Sequence, residues 1–163
     1  MCRVIVNSTP LIALGRINRL DLLREVFGCI AIPQAVYDEI MKKTDRASEL
    51  LASAPGWIKV IQIRNEESKL RFPFALHDGE IEVMILSVEL GKKQIVIDDH
   101  AARKHAAHLL GRDRVMGTLG VLIIAKRMGI IDEVATIIKE LRQVGIRYSD
   151  SALQTALDMA GER

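Results

Sequence analysis

Ile95-Val96-Ile97-Asp98-Asp99 is the run on which the fold turns. Three β-branched apolar residues in a row read as a short buried strand. Two carboxylates follow at once, where the strand would end and a helix begin. In open α/β sheets the crevice outside the carboxyl ends of the strands is where ligands bind. Two adjacent acids at such a place repel each other unless a cation or a proton lies between them. The run therefore predicts a divalent metal site, and the rest of the chain can be searched for matching ligands.

Working outward, strands alternate with helices. Arg3 to Val6 reads as a first strand, ending in the polar cluster Asn7-Ser8-Thr9-Pro10, with Thr9 or Ser8 expected to cap the next helix. Cys29 to Ile32 reads as a second strand and Pro33 to about Lys43 as its helix, with a shorter helix from Ala47 to Ser53. Ile58 to Ile63 is a further strand, and Asn65 to Leu76 is irregular around Pro73. Phe72 and Phe74 flank that proline, which suggests a lid or a protein-contact loop. Asp78 can cap a helix from Gly79 to Leu90 in which Ile81, Met84, Ile85 and Val88 form one apolar stripe. A helix from His100 to Leu110, a short strand Arg114 to Met116, and helices after Gly117, from about Ile131 and from Ser149 complete the chain. This alternation predicts an α/β fold: a three-layer α/β/α sandwich with a mostly parallel central sheet.

At 163 residues the length predicts a single domain, 1–163, and no repeat or linker interrupts it. Apolar residues make up 49% of the chain and aromatics only 4%, so aliphatic side chains must fill the core. A formal charge of +2 does not by itself demand nucleic acid. No apolar stretch approaches the ~20 residues that cross a bilayer, and Met1 to Val6 offers no secretory segment. Cys2 and Cys29 lack metal-type spacing and read as small buried hydrophobes rather than a disulfide, which fits a reducing cytoplasm.

The acids and amides expected at strand ends or early in the following helices are Asn7, Glu39, Glu80, Asp98 and Asp99. In a parallel sheet these positions can converge on one edge. Oxygen ligands without His or Cys select Mg²⁺ or Mn²⁺ over Zn²⁺. A carboxylate-held magnesium ion orients water, lowers its pKa and offsets charge on a phosphodiester, which points to hydrolysis of a nucleic-acid backbone. Each residue also has a plainer role open to it: a solvated helix position for Glu39, helix-dipole complementation for Glu80, an Asx-turn for Asn7, helix capping for one of the aspartates. Ser8 and Thr9 could touch a metal-bound water or the scissile phosphate, although capping is the better reading of both. Thr118 opens a helix where backbone N–H groups favour anions. Arg103, one helical turn after Asp99, could contact RNA phosphate or pair with the acids. His100, His105 and His108 share a helix but find no Cys or Glu to complete a zinc set, and read as surface residues. No Gly-rich phosphate loop is present.

At this point the chain resembles a known family, the PIN-domain ribonucleases, and within it the branch related to toxins of toxin–antitoxin modules. The resemblance is carried by Val6-Asn7-Ser8-Thr9-Pro10-Leu11-Ile12-Ala13-Leu14, Ile32-Pro33-Gln34-Ala35-Val36-Tyr37-Asp38-Glu39-Ile40, Gly79-Glu80-Ile81-Glu82, Ile97-Asp98-Asp99 with Arg103 and Ala106, and Gly117-Thr118-Leu119-Gly120-Val121-Leu122. It implies an α/β/α sandwich, a Mg²⁺- or Mn²⁺-dependent endoribonuclease acting on RNA, a cognate antitoxin protein as partner, and a homodimer. Carried over by position, the family's four acids fall on Asn7, Glu39, Glu80 and Asp99, with Asp98 beside the last. Asp99 reads as the direct ligand and Asp98 as helix cap or support. Two departures stand out. Asn7 replaces the usual Asp, so that wall of the site brings an oxygen but no charge. Glu80 replaces a more usual Asp, keeping the charge on a longer arm. Asn7 also opens the alternative of a degenerate module that binds RNA or protein without cutting.

Overall fold

The computed structural model describes residues 2–162. Five strands form one sheet: β1 (Val4–Val6), β2 (Ile30–Pro33), β3 (Ile58–Ile61), β4 (Gln94–Val96) and β5 (Val115–Met116). Their spatial order is β3-β2-β1-β4-β5 and every neighbouring pair is parallel. The chain thus winds outward from β1 in both directions, and the order reverses between β1 and β4. Burial explains the composition of the central strands: Val4, Ile5, Val6, Ile95, Val96 and Ile97 are at most 1% exposed, as expected of strands covered on both faces.

Nine helices among the described residues cover the sheet. Those after the first strands are α1 (Ser8–Arg16), α2 (Asp21–Phe27), α3 (Gln34–Met41) and α4 (Arg46–Ala52). Those in the second half are α5 (Asp78–Glu89), α6 (His100–Leu110), α7 (Thr118–Arg127), α8 (Val134–Gln143) and α9 (Asp150–Met159). Helix α5 packs against α3 and α6, while α7 packs against α2, α8 and α9, which makes the two helical layers of the sandwich. One contiguous apolar core joins both layers to the sheet. No helix among the described residues is long and apolar enough to cross a membrane.

Local details depart from sequence expectation at four places. Helix α5 carries no single stripe: Gly79 through Ser87 are all buried, and Val88 is half exposed. It lies against β1, β4, two helices and the 3-10 turn Glu66–Arg71, so every face finds a neighbour. Ser8, Thr9 and Asp78 are not caps. Helix α1 begins at Ser8 after Asn7, and α5 begins at Asp78 after His77, with no side-chain cap on either. The irregular stretch holds that 3-10 turn, after which Phe72 stacks at 5.2 Å on His105 while Phe74 projects fully into solvent.

The fourth departure is the cysteines. Cys2 and Cys29 form a disulfide, with Cα atoms 5.0 Å apart. Ile5 is paired with Ala31, so the residues just before β1 and β2 are held side by side by strand register. A separation of 27 residues gave no sign of this pairing. The argument from free thiols to a reducing compartment falls with it.

Candidate active site at the carboxyl edge of the sheet

The strand register sets out the working edge. Asn7 follows β1 and donates its backbone N–H to Val96 O at 3.0 Å. Ile97 donates to Met116 O at 2.8 Å, so Asn7, Asp98 and Thr118 leave three neighbouring strands side by side. This is the place where the strand order reverses, the usual crevice of an open α/β sheet.

Asn7 is 4% exposed, and its Oδ1 is buried with no hydrogen-bond partner. Glu39, on α3, has its Oε2 held by the Ser8 hydroxyl, which donates to it at 2.8 Å. Both oxygens lie against Gly79: a methyl group there would be 3.2 Å from Glu39 Oε2 and 3.3 Å from Asn7 Oδ1. Gly79 therefore leaves room for the amide and the carboxylate at the start of α5. Glu80 is 7% exposed; its Oε1 lies 2.9 Å from His77 Nδ1, and its Oε2 is buried without a partner. The exposed His77 has its pKa raised, first by the hydrogen bond to Glu80, then by the charges of Glu80, Glu39 and Asp99. Glu39 and Asp99 lie near enough to His77 for their charges to add to this effect.

The two aspartates divide their labour differently from expectation. Asp99 is the N-cap of α6, accepting from Ala102 N at 2.9 Å, and it is exposed. Asp98 is not the cap. Its two oxygens accept from Thr118 N and Thr118 Oγ1, both at 2.7 Å. Burial raises the Asp98 pKa, opposed by the two Thr118 bonds and the Arg103 charge. Thr118 itself is 0% exposed, so its role here is to anchor Asp98. Thr9 is exposed at the start of α1, and Arg103 is exposed on α6 near Gly117.

Two further residues join the site in the fold. Glu82 is 5% exposed, accepts from Ala35 N at 3.1 Å and meets Lys69 Nζ at 2.7 Å. Lys69 also reaches Glu66 at 3.0 Å, and its pKa is raised by these carboxylates against the cost of burial. A groove of about 560 Å³ opens beside Glu39, with Lys69, His77, Asp78, Gly79 and Glu82 on its walls. The sequence signal was available for Gly79 and Glu82, which sit inside Gly79-Glu80-Ile81-Glu82. Lys69 lay in a segment read as irregular. A second groove, of about 670 Å³, runs along α6 between His100, Arg103, Lys104, His108 and Arg112 and, among the described residues, has no carboxylate on its walls.

No group of three His, Cys, Asp or Glu side chains among the described residues stands in a metal-holding arrangement. The carboxylates are instead engaged locally, Glu39 by Ser8, Glu80 by His77 and Asp99 by α6, and the fourth wall is an amide. The donor set still suits a hard cation. It is all oxygen, and two of its oxygens, Asn7 Oδ1 and Glu80 Oε2, are buried without partners, a condition that costs about 1–3 kcal/mol per group unless something satisfies it.

No curated protein and no solved structure matches the chain. A family model described as the PIN domain matches residues 3–162, nearly the whole chain. PIN domains are generally nucleases that bind nucleic acid and use a divalent metal. The order of motifs, the all-parallel sheet and the family match agree, and the chain belongs to the PIN-domain family.

Proposed function

We propose that this protein is a Mg²⁺- or Mn²⁺-dependent endoribonuclease, the toxin of a toxin–antitoxin pair, working as a homodimer. The observation that carries the catalytic part is the approach of Asn7 Oδ1 and Glu39 Oε2 to one point over Gly79, together with the buried, unpartnered Glu80 Oε2 on the next residue. The toxin role, the antitoxin partner and the homodimer rest on the sequence resemblance.

In this reading Asn7, Glu39, Glu80 and Asp99 hold the cation. When bound, it lowers the pKa of water and offsets negative charge on the phosphodiester. Ser8 keeps Glu39 turned toward Asn7. His77 holds one oxygen of Glu80 and leaves the other for the site. Asp98 is a positioning residue, fixing the β4 and β5 ends relative to each other through Thr118. The carboxylate-free groove along α6 offers a path for RNA phosphates, an attraction that salt would weaken.

The test is cleavage of RNA in Mn²⁺ by the native chain and by Asp99→Asn and Glu80→Gln. Loss of cleavage in both variants supports the assignment, and unchanged cleavage removes it. A second reading is favoured by Asn7, which contributes no charge: a degenerate module that binds RNA or protein without cutting. It predicts RNA retention that survives chelation, and an Asn7→Asp variant that cleaves where the parent does not.

A further inference from the structure

A separate cavity lies one strand beyond the acids, between α7 and α9. It has a volume of about 320 Å³, and Met116, Leu119, Ile123, Ala152, Ala156 and Met159 supply its apolar walls. Its polar side chains are few: Asp98, Arg103, Tyr148 and Thr155. A small, mostly apolar pocket with a few convergent polar groups is the usual form of a small-ligand site, and this one lies at the small end of the ~300–1,000 Å³ range.

Two features set it apart from a packing defect. The Tyr148 oxygen is buried beside Asp98 and Thr118; no hydrogen bond of good geometry reaches it among the described residues, although the Thr118 side chain lies close enough to act on it. Burial, and then the Asp98 charge, raise the Tyr148 pKa, so the hydroxyl keeps its proton and can donate. The cavity is also continuous with the rest of the working edge. Asp98 on its wall is bonded to Asp99 of the acid site, and Arg103, Val115 and Ala152 line both this cavity and the basic groove along α6. Asn7 and the β5 end are two strands apart, ~10 Å at ordinary strand spacing.

We infer that this slot receives a single nucleobase of the RNA adjoining the cleaved bond, with Arg103 on the flanking phosphate. The inference rests on the nuclease reading for its substrate. A planar base would lie against the methionine and aliphatic walls, its edge meeting Asp98 and the Tyr148 hydroxyl. The second oxygen lone pairs of Asp98 remain open to base N–H groups, since Thr118 takes one hydrogen bond on each oxygen. The slot would then choose which base lies next to the cut.

The test is a binding measurement without metal, so that it does not depend on catalysis. The full chain in EDTA is titrated with AMP, GMP, CMP and UMP, and with ribose 5-phosphate, while the methyl resonances of Met116 and Met159 are followed. Saturable shifts with one or more nucleotides, absent with ribose 5-phosphate, are expected. Ala152→Phe, which fills the slot from α9, should weaken that binding at least tenfold, and Tyr148→Phe should change the ranking among the four bases. Unmoved methyls, equal shifts with ribose 5-phosphate, or native binding by Ala152→Phe would overturn the inference. Base binding by a chain that never cleaves RNA would sustain the slot and remove the nuclease reading. Cleavage without base binding would do the reverse.

Discussion

Asp98 spends both carboxylate oxygens on one residue, Thr118, taking its backbone N–H and its hydroxyl at 2.7 Å each. This clamp ties the residue after β4 to the first residue of α7 across the sheet edge. Thr118→Val keeps the shape and removes one donor to a carboxylate that has little water around it. Leaving such an acceptor unsatisfied costs about 1–3 kcal/mol. Urea denaturation should show a lowered midpoint of that size, with an unchanged slope.

Asp99→Asn separates folding from chemistry. Asn caps helices about as well as Asp, so the bond to Ala102 N survives and stability should move by less than about 0.5 kcal/mol. A charge at the cation site is lost, and RNA cleavage should fall by roughly 10²-fold or more, the scale for removing one electrostatic contributor. A thermal melt beside a cleavage assay on the same preparation checks both halves.

Asn7→Asp adds a charge where burial is nearly complete. Without metal this variant should be less stable than the native chain, since an unpaired buried carboxylate is costly. Added Mn²⁺ should raise its melting temperature more than it raises that of the native protein, because ligand binding to the folded state stabilises it by mass action. Equal Mn²⁺ shifts in the two proteins would place the cation away from Asn7.

His77 gives the site a pH dependence. Its pKa lies above the ordinary 6.5 because Glu80 holds the protonated ring. A raised histidine pKa contributes stability below the unfolded value, and that contribution is lost as pH rises through the folded value. Cation binding runs the other way, because protonated His77 competes for Glu80. Mn²⁺ affinity should therefore climb as pH rises above about 6.5, and His77→Gln should flatten the climb. Titration calorimetry at several pH values measures it.

Reduction of the Cys2–Cys29 disulfide should lower stability by about 3.5 kcal/mol, the loop-closure scale for a separation of 27 residues. The bridge ties the amino ends of β1 and β2, away from the carboxyl edge. Denaturation with and without reductant should show the loss, while RNA cleavage at low temperature stays the same.

The architecture was legible because its signals are local. Val4–Val6 and Ile95–Ile97 are apolar runs that only a doubly covered strand explains, and Gly91 and Gly111 take the positive φ angles that close their helices. What the sequence hid is what depends on neighbours in space. The stripe on α5 failed because helices and sheet surround it. The cysteines were misread because strand register, not spacing, brings them together. That Asp99 rather than Asp98 caps α6 turns on Thr118, 20 positions beyond Asp98, whose hydroxyl claims the first aspartate and leaves the second to the helix. Lys69 lies in a short 3-10 turn and Tyr148 in a loop, neither with a readable periodicity, so nothing local distinguished them from solvent-facing residues.

The uniform direction of the five strands has a last consequence. Asn7, Glu80, Asp98 and Asp99 all lie just past a strand end or in the first turn of a helix, whereas the apolar residues that fill the sheet lie inside the strands. Much of the change in ligand preference open to the chain thus falls outside the strands that fill its interior. A lineage carrying this scaffold can exchange an acid for an amide, as at position 7, and alter what it grips or cuts while the packed interior stays untouched.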